Sequence, residues 1–300
     1  MTDKSFELSR GQAQYPKTLD DLPNPPKTVY GIGDPEVLAL PSIAIVGSRR
    51  ATPYGIAVAE IAGRVAAESG LAVVSGGALG CDSAASRAAM NAGGRSIIVS
   101  GCGADVIYPQ ASNDVFLKSI ELDGAVISIE KCGAPPRRYA FPKRNGVIAA
   151  LSRATLVIEA GKKSGTMSTA EMASQLGRLL YAVPGSIFSP QSLGTNELIS
   201  DGASIICSER DLEMCIALDY DRLRLTETTG NPEMGRVMSA LVASPTRADE
   251  LANRLGDSVI TILGTLSDYE ARGMVVRLPD GRYSPSEEFL RTSDRMDCRN

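Results

Sequence analysis

Ile43-Ala-Ile-Val46 runs into Gly47-Ser48-Arg49 and, at Thr52-Pro53, into a helix start. It is the first of seven short apolar runs, followed by Leu71-Ala-Val-Val74, Ser96-Ile-Ile-Val99, Ala125-Val-Ile127, Ala154-Thr-Leu-Val-Ile158, Leu179-Leu-Tyr-Ala-Val183 and Ala203-Ser-Ile-Ile206. Several lead directly into glycine, serine or an acidic residue: Ser75-Gly76-Gly77, Gly101-Cys102-Gly103, Glu130, Glu159 and Pro184-Gly185. Continuous apolar runs separated by helical stretches read as strands buried on both faces of a parallel sheet, whose ligand site lies beyond the strands' carboxyl ends. Several polar turns along one edge point to a ligand with phosphates in several places.

Working outward, Thr52 reads as an N-cap and Pro53 as the first helical residue, with the helix running to about Ser69 and stopping at Gly70. A second helix is expected after Asp82, with a small face of Ala84, Ala85, Ala88 and Ala89, ending at Gly93-Gly94. Residues 1–42 form a Pro-rich leader, expected as an extended strap on the 43–218 domain. With about fourteen residues before Tyr15, no further helical domain is expected ahead of the strap. Residues 219–232 read as a linker. Helices over Met234–Ala243, Ala248–Leu255 and Ser258–Arg272, then Met274–Leu278, the turn Asp280-Gly281 and Arg282–Ser284, give a winged-helix pattern over 233–285. Residues 286–300 read as a frayed tail.

Bulk composition narrows the chemistry. The 300 residues include no histidine, which excludes imidazole bases, His-based triads and His-ligated metals. The six cysteines have no CxxC pairing and read as thiols in a reducing cytoplasm. No run is long enough to span a membrane, and the start is no signal peptide. A formal charge of −4 does not mark a nucleic-acid binder, so such a function needs a local patch.

One patch exists. Lys131-Cys-Gly-Ala-Pro-Pro-Arg137-Arg138-Tyr139-Ala-Phe141-Pro142-Lys143-Arg144-Asn145 holds five basic residues, two aromatics and no acidic residue. Its prolines are expected to keep it extended. Interleaved cations and rings suit single-stranded nucleic acid, although a solvated loop with Phe141 plugging the core would read the same. Gly47-Ser48-Arg49 offers backbone N–H groups and an arginine fork to a phosphate, and Gly76 and Gly77 form a second such turn. Asp82 reads as an N-cap or a ligand contact. Lys162-Lys163-Ser164-Gly165-Thr166 opens a helix as a further anion site, while Ser168-x-x-Glu171 reads as a capping box. No dinucleotide fingerprint is present, and neither a metal nor a cofactor is called for.

With these residues in place, the chain resembles the DNA-processing protein A (DprA/Smf) family. The resemblance runs from Tyr15-Pro16 and Gly33-Asp34 through Ile43–Arg49, Thr52–Gly55, Val73–Gly80, Gly101–Pro109 and Phe141–Asn145. It continues through Leu151-Ser-Arg153, Ser164-Gly-Thr166, Ala182–Ser186 and Gly194-Thr-Asn196. It implies an extended Rossmann-like, mostly parallel sheet with helices on both faces, plus a small C-terminal winged-helix-like domain. It further implies a non-enzymatic, dimeric protein that binds and protects single-stranded DNA and loads RecA recombinase, as in natural transformation. By motif, Arg49, Phe141, Lys143, Arg144 and Asn145 become DNA contacts, with Ser48, Lys162 or Lys163 and Ser164-Gly165 close by. Where many members carry arginine, this chain reads Gly77-Ala78-Leu79-Gly80. The winged region holds seven acidic and six basic residues, a net charge of −1, which favours a protein contact over a major-groove reader. The rival is a nucleoside-monophosphate phosphoribohydrolase-like enzyme. Its pattern needs a glutamate three residues after Gly-Thr, where this chain has Thr169; Glu171 lies about 200° around the helix.

Overall fold

The structure, a computed structural model, describes residues 4–221, 236–243, 245–286 and 289. The chain divides into two compact units, Met1–Arg224 and Leu225–Asn300.

In the first unit the elements run β1 (Ser5–Ser9), β2 (Thr28–Gly33), β3 (Ser42–Val46), α1 (Pro53–Glu68), β4 (Ala72–Ser75), α2 (Cys81–Asn91), β5 (Ser96–Val99), α3 (Asn113–Glu121) and β6 (Ala125–Ser128). They continue with α4 (Ala140–Leu151), β7 (Ala154–Val157), α5 (Gly165–Gln175), β8 (Leu179–Ala182), α6 (Leu193–Ser200), β9 (Ser204–Ile205) and α7 (Glu209–Asp219). The nine strands form one sheet, ordered β1-β2-β6-β5-β4-β3-β7-β8-β9. All seven apolar runs are strands, and β3 to β9 pair in parallel.

The leader departs from the expected strap. Two of its segments enter the sheet, β1 antiparallel to β2 and β2 antiparallel to β6. Turns of 3-10 helix at Lys17–Asp21 and Pro35–Ala39 follow these strands. The sheet is therefore mixed at this edge.

Alternation along each strand builds two apolar layers. Ala44 and Val46 of β3 join Val74, Ile97, Val99 and the inner residues of α4 and α5. Ile43 and Ile45 point the other way, toward α1, α2 and α7. Each fully buried branched side chain contributes roughly 1.5–3 kcal/mol, which is why the parallel strands read as uninterrupted apolar runs. Gly63 of α1 lets α2 approach: a Cβ there would stand 2.1 Å from the Ala85 carbonyl oxygen. Thr52 caps α1 by accepting from the Gly55 N–H at 3.1 Å. The second helix begins two residues earlier than expected, with Gly80 as N-cap and Asp82 inside its first turn.

Tyr220, just beyond α7, pins the amino ends of two central strands. Its hydroxyl donates to the Ser42 carbonyl at 2.9 Å and accepts from the Ala154 N–H at 3.1 Å. Tyr220→Phe takes the acceptor from the buried Ala154 N–H, at about 1–3 kcal/mol, while the Ser42 carbonyl keeps the Arg153 N–H at 3.2 Å. For a unit of this size that is roughly 3–10 °C in the midpoint of thermal unfolding followed by circular dichroism. A midpoint equal to the parent's would show that the hydroxyl holds nothing.

The second unit contains α8 (Arg236–Ala243), α9 (Ala248–Leu255), α10 (Val259–Ala271), β10 (Val275–Arg277) and β11 (Tyr283–Pro285). The two strands form an antiparallel hairpin, and Thr246 bridges to Tyr283 beside it. Met238, Leu241, Leu251, Ile262, Leu266 and Val275 make its core. This is a winged-helix architecture. The expected start of its first helix at Met234, residues 222–232 of the expected linker and most of the expected tail lie outside the described residues. No described helix is long and apolar enough to cross a membrane.

Candidate functional site

Where β3, β4 and β7 end, a cavity of about 440 Å³ opens. Gly47, Ser48, Arg49 and Arg50 form one wall, Arg144, Asn145 and Ile148 of α4 another, and Ser164, Gly165 and Thr166 at the start of α5 a third. Ala78, Asp82, Thr169 and Gln191 complete it.

Asp82 joins two of the glycine turns. Its carboxylate accepts from the Gly47 N–H at 3.2 Å and from the Gly76 N–H at 3.1 Å. Burial pushes this carboxyl above its ordinary value, while the nearby Arg144 and the two amides pull against that shift. Glu159 does comparable work at the start of α1, accepting from both the N–H and the hydroxyl of Thr52. Thr166 donates to the Gly47 carbonyl at 3.0 Å, tying α5 to the first turn. The Asn145 side-chain amide donates to the Gly165 carbonyl at 3.0 Å and to the Ser168 hydroxyl at 2.8 Å.

Arg144 is the unusual member. It is only 5% exposed, yet it forms no hydrogen bond or salt bridge among the described residues, and its Nε is buried without a partner. Desolvation lowers its pKa, with Asp82 opposing, but a guanidinium stays charged in proteins. Gly76 makes room for it: a Cβ there would stand 1.5 Å from Nη1. At the start of α5, Ser164 provides no side-chain cap, and its Oγ is also buried without a partner among the described residues. The first N–H groups of a helix carry partial positive charge, so this wall and Arg144 face one space with the same sign. Together they offer an anion a positively polarised surface.

The basic patch divides. Contrary to the extended reading, it enters α4 at Ala140, because Pro142 is tolerated in a helix's first turn, where its missing N–H costs nothing. Phe141 then sits between two cations, 5.6 Å from the Arg49 guanidinium and 5.8 Å from that of Arg144, with Tyr108 at 5.9 Å. The ring props these arginines through cation–π contact. Outside the cavity, Arg137 donates to the Tyr139 hydroxyl at 3.1 Å, and Lys143 lies 5.2 Å from the same ring. Arg138 is exposed on this stretch.

Lys162 and Lys163 stand exposed just before the cavity wall of α5, and Lys162 is paired with Glu197 at 3.3 Å. Gly77 lies off the cavity, against Phe116 and Ile98. The expected capping box is absent. Ser168 lies within α5, donating to the Gly165 carbonyl at 2.7 Å, and Glu171 is exposed. Arg50 and Gln191 escape the sequence reading. Gln191 reaches the cavity from the loop before α6, meeting the Ser48 hydroxyl at 3.3 Å, and no local motif marks it.

The described residues hold no cluster of three or more His, Cys, Asp or Glu able to bind a metal. Five cysteines are free; Cys298 lies outside the described residues. Burial pushes the Cys81 thiol up to about 12, which leaves it unreactive.

Residues 7–217 match the family model described as DNA recombination-mediator protein A, and residues 224–281 match the DprA winged helix domain. The DNA processing protein DprA of Streptococcus pneumoniae is 38% identical, over 66% of this chain and 70% of that protein. Protein Smf of Synechocystis is 29% identical, over 92% of this chain and 79% of its own. Among solved structures, DprA from Streptococcus pneumoniae is similar at a TM-score of 0.65, with 36% identity, covering 70% of this chain and 74% of that one. DNA processing protein A from Helicobacter pylori, described for its single-stranded DNA binding mode, also has a TM-score of 0.65. It is 33% identical, covering 72% of this chain and 96% of that one.

Proposed function

The chain belongs to the DNA recombination-mediator protein A family, and from that premise we propose that it binds single-stranded DNA at this cavity and, as a dimer, hands the strand to RecA recombinase. The observation that carries the binding step is the buried, unpartnered guanidinium of Arg144 facing the uncapped start of α5. A backbone phosphate placed between them accepts from Arg144 and from helix N–H groups, partners neither side finds within the described protein. Arg49 extends the charge outward from the cavity, and Arg137, Arg138 and Lys143 carry it along the surface beside α4. Thr169 occupies the place where the phosphoribohydrolase pattern needs a carboxylate, and the cavity's own carboxylate, Asp82, is held by two amides. The protein acts as a binder with no chemical step.

Recognition through phosphates is sequence-tolerant and salt-sensitive. With about five phosphates neutralised, log K falls against log salt with a slope of roughly −3.5 for a single strand. Fluorescence anisotropy of a labelled 35-nucleotide dT strand, against a duplex of equal length, tests this. Preference for the duplex, or no binding at low salt, would remove the proposal. The exposed arginines give a graded check: replacing Arg137 and Arg138 together by alanine reduces the slope by about 1.4, at roughly 0.7 per phosphate contact. An unchanged slope would place the strand elsewhere.

A further inference from the structure

The loop before α6, which brings Gln191 into the cavity, also carries two of the three most exposed large apolar side chains among the described residues, Phe188 at 90% and Ile187 at 75%. Burial explains neither, and both sit on a fixed turn. The Phe188 N–H donates to the Ser186 hydroxyl at 3.2 Å, and the Ser189 and Ser192 N–H groups close successive turns at 3.0 Å. Asn196 exchanges two hydrogen bonds with the Gly185 backbone, at 3.1 and 3.0 Å. At the loop's base the Tyr54 hydroxyl donates to the Pro184 carbonyl at 3.0 Å. Beyond the loop, the Gly194 N–H donates to the Ala160 carbonyl at 2.7 Å, and Gly161 packs on the Pro190 carbonyl, so the segment bearing Lys162 and Lys163 lies alongside. Phe188 is three residues from Gln191, a span of at most about 11 Å.

In the first turn of α4 the Phe141 ring is already committed to Arg49 and Arg144. Among the described aromatic rings Phe188 is the most exposed. We propose that Phe188, with Ile187 beside it, is a stacking platform for a base of the single strand, one or two nucleotides from the phosphate held in the cavity. The proposal rests on the single-stranded DNA reading above. A ring next to cations on a prearranged turn gives a base a π-face whatever its identity, with Lys163 available to the adjoining phosphate. Among the described residues Lys163 holds no ion pair.

The chain contains no tryptophan, so Phe188→Trp installs a single indole at the platform. Titrating this variant with the 35-nucleotide dT strand is expected to quench its emission in step with the anisotropy of the labelled strand. Phe188→Ala is expected to weaken that strand's binding about 5- to 30-fold, the lower part of the range for one stacked base. The slope against log salt stays unchanged, because no charge is lost. On an abasic strand of the same length, Phe188→Ala and the parent bind alike. Indole emission from the Phe188→Trp variant that ignores a strand the variant does bind would overturn the platform and leave the DNA reading standing. So would an unchanged affinity for Phe188→Ala, including the case in which that variant alters only self-association. Failure of the parent to bind any strand would overturn the DNA reading itself and the platform with it.

Discussion

Arg144→Ala is expected to weaken binding of the 35-nucleotide dT strand by about 100- to 1,000-fold, and by the same factor for strands of any sequence. The size follows from what the guanidinium contributes at a desolvated site: removing one member of a buried, hydrogen-bonded charge pair costs roughly 3–4 kcal/mol, at about 1.4 kcal/mol per tenfold. The same substitution is not expected to destabilise the fold. Arg144 is buried with no hydrogen bond or salt bridge among the described residues. In the free protein it therefore carries a desolvation cost that Asp82 and the Phe141 ring offset only in part. Its removal should leave the melting temperature unchanged or raised, a pattern common where binding groups are held ready in unfavourable surroundings. Arg144→Lys separates charge from geometry. Lysine restores a point charge without the planar fork, and should recover only part of the affinity. Arg144→Ala binding as tightly as the parent would remove the cavity from the DNA path. A large fall in melting temperature would mean that Arg144 is a structural residue.

How much of this is legible in the sequence depends on the range of the interactions involved. The seven central strands can be read because each is buried on both faces and needs an unbroken apolar run, as in Ile43–Val46 and Ala154–Val157. Thr52-Pro53 announces α1 through cap chemistry confined to four residues. The antiparallel strands Ser5–Ser9 and Thr28–Gly33 cannot be read this way. One contains two glycines, and its place is decided by pairing with β6, about a hundred residues away, while Ser5–Ser9 pairs in turn with it. Residues 131–145 mislead because proline breaks a helix interior but fits its first turn, and Pro142 sits in that turn. At the cavity, residue types and glycine turns point to an anion. No local pattern shows that Phe141 supports two arginines, or that Gln191 arrives from a separate loop. Asp82 is the sharpest instance: its type and position fit a local cap, and only the assembled sheet shows which amides it holds.

Asp82→Asn should show what that arrangement is worth. The carboxylate accepts from Gly47 and Gly76 at once. An asparagine offers one carbonyl oxygen and sets an NH₂ group against the second amide, donor facing donor. One buried N–H is then left unpaired, and Arg144 loses the only carboxylate that lines the cavity among the described residues. An unsatisfied buried amide costs about 1–3 kcal/mol, and leaving a buried charge uncompensated can cost about 3–5 kcal/mol. The expected fall in the melting temperature is about 10 °C, at roughly 2–4 °C per kcal/mol for a unit of this size. The two causes separate in a double-mutant cycle with Arg144→Met. If the lone guanidinium is the main burden, the double variant regains most of the lost stability. If the unpaired amide dominates, the double variant stays as weak as Asp82→Asn alone, because the two glycine turns have lost their shared acceptor whatever stands at position 144. A melting temperature equal to the parent's would show that the turns at Gly47 and Gly76 hold their shape without Asp82. The first outcome of the cycle makes the residue the charge partner of Arg144. The second assigns it a positioning role, fixing two turns of the cavity while its negative charge opposes the anion that the cavity is proposed to receive. Such a group is retained only if the geometry it secures outweighs the repulsion it adds.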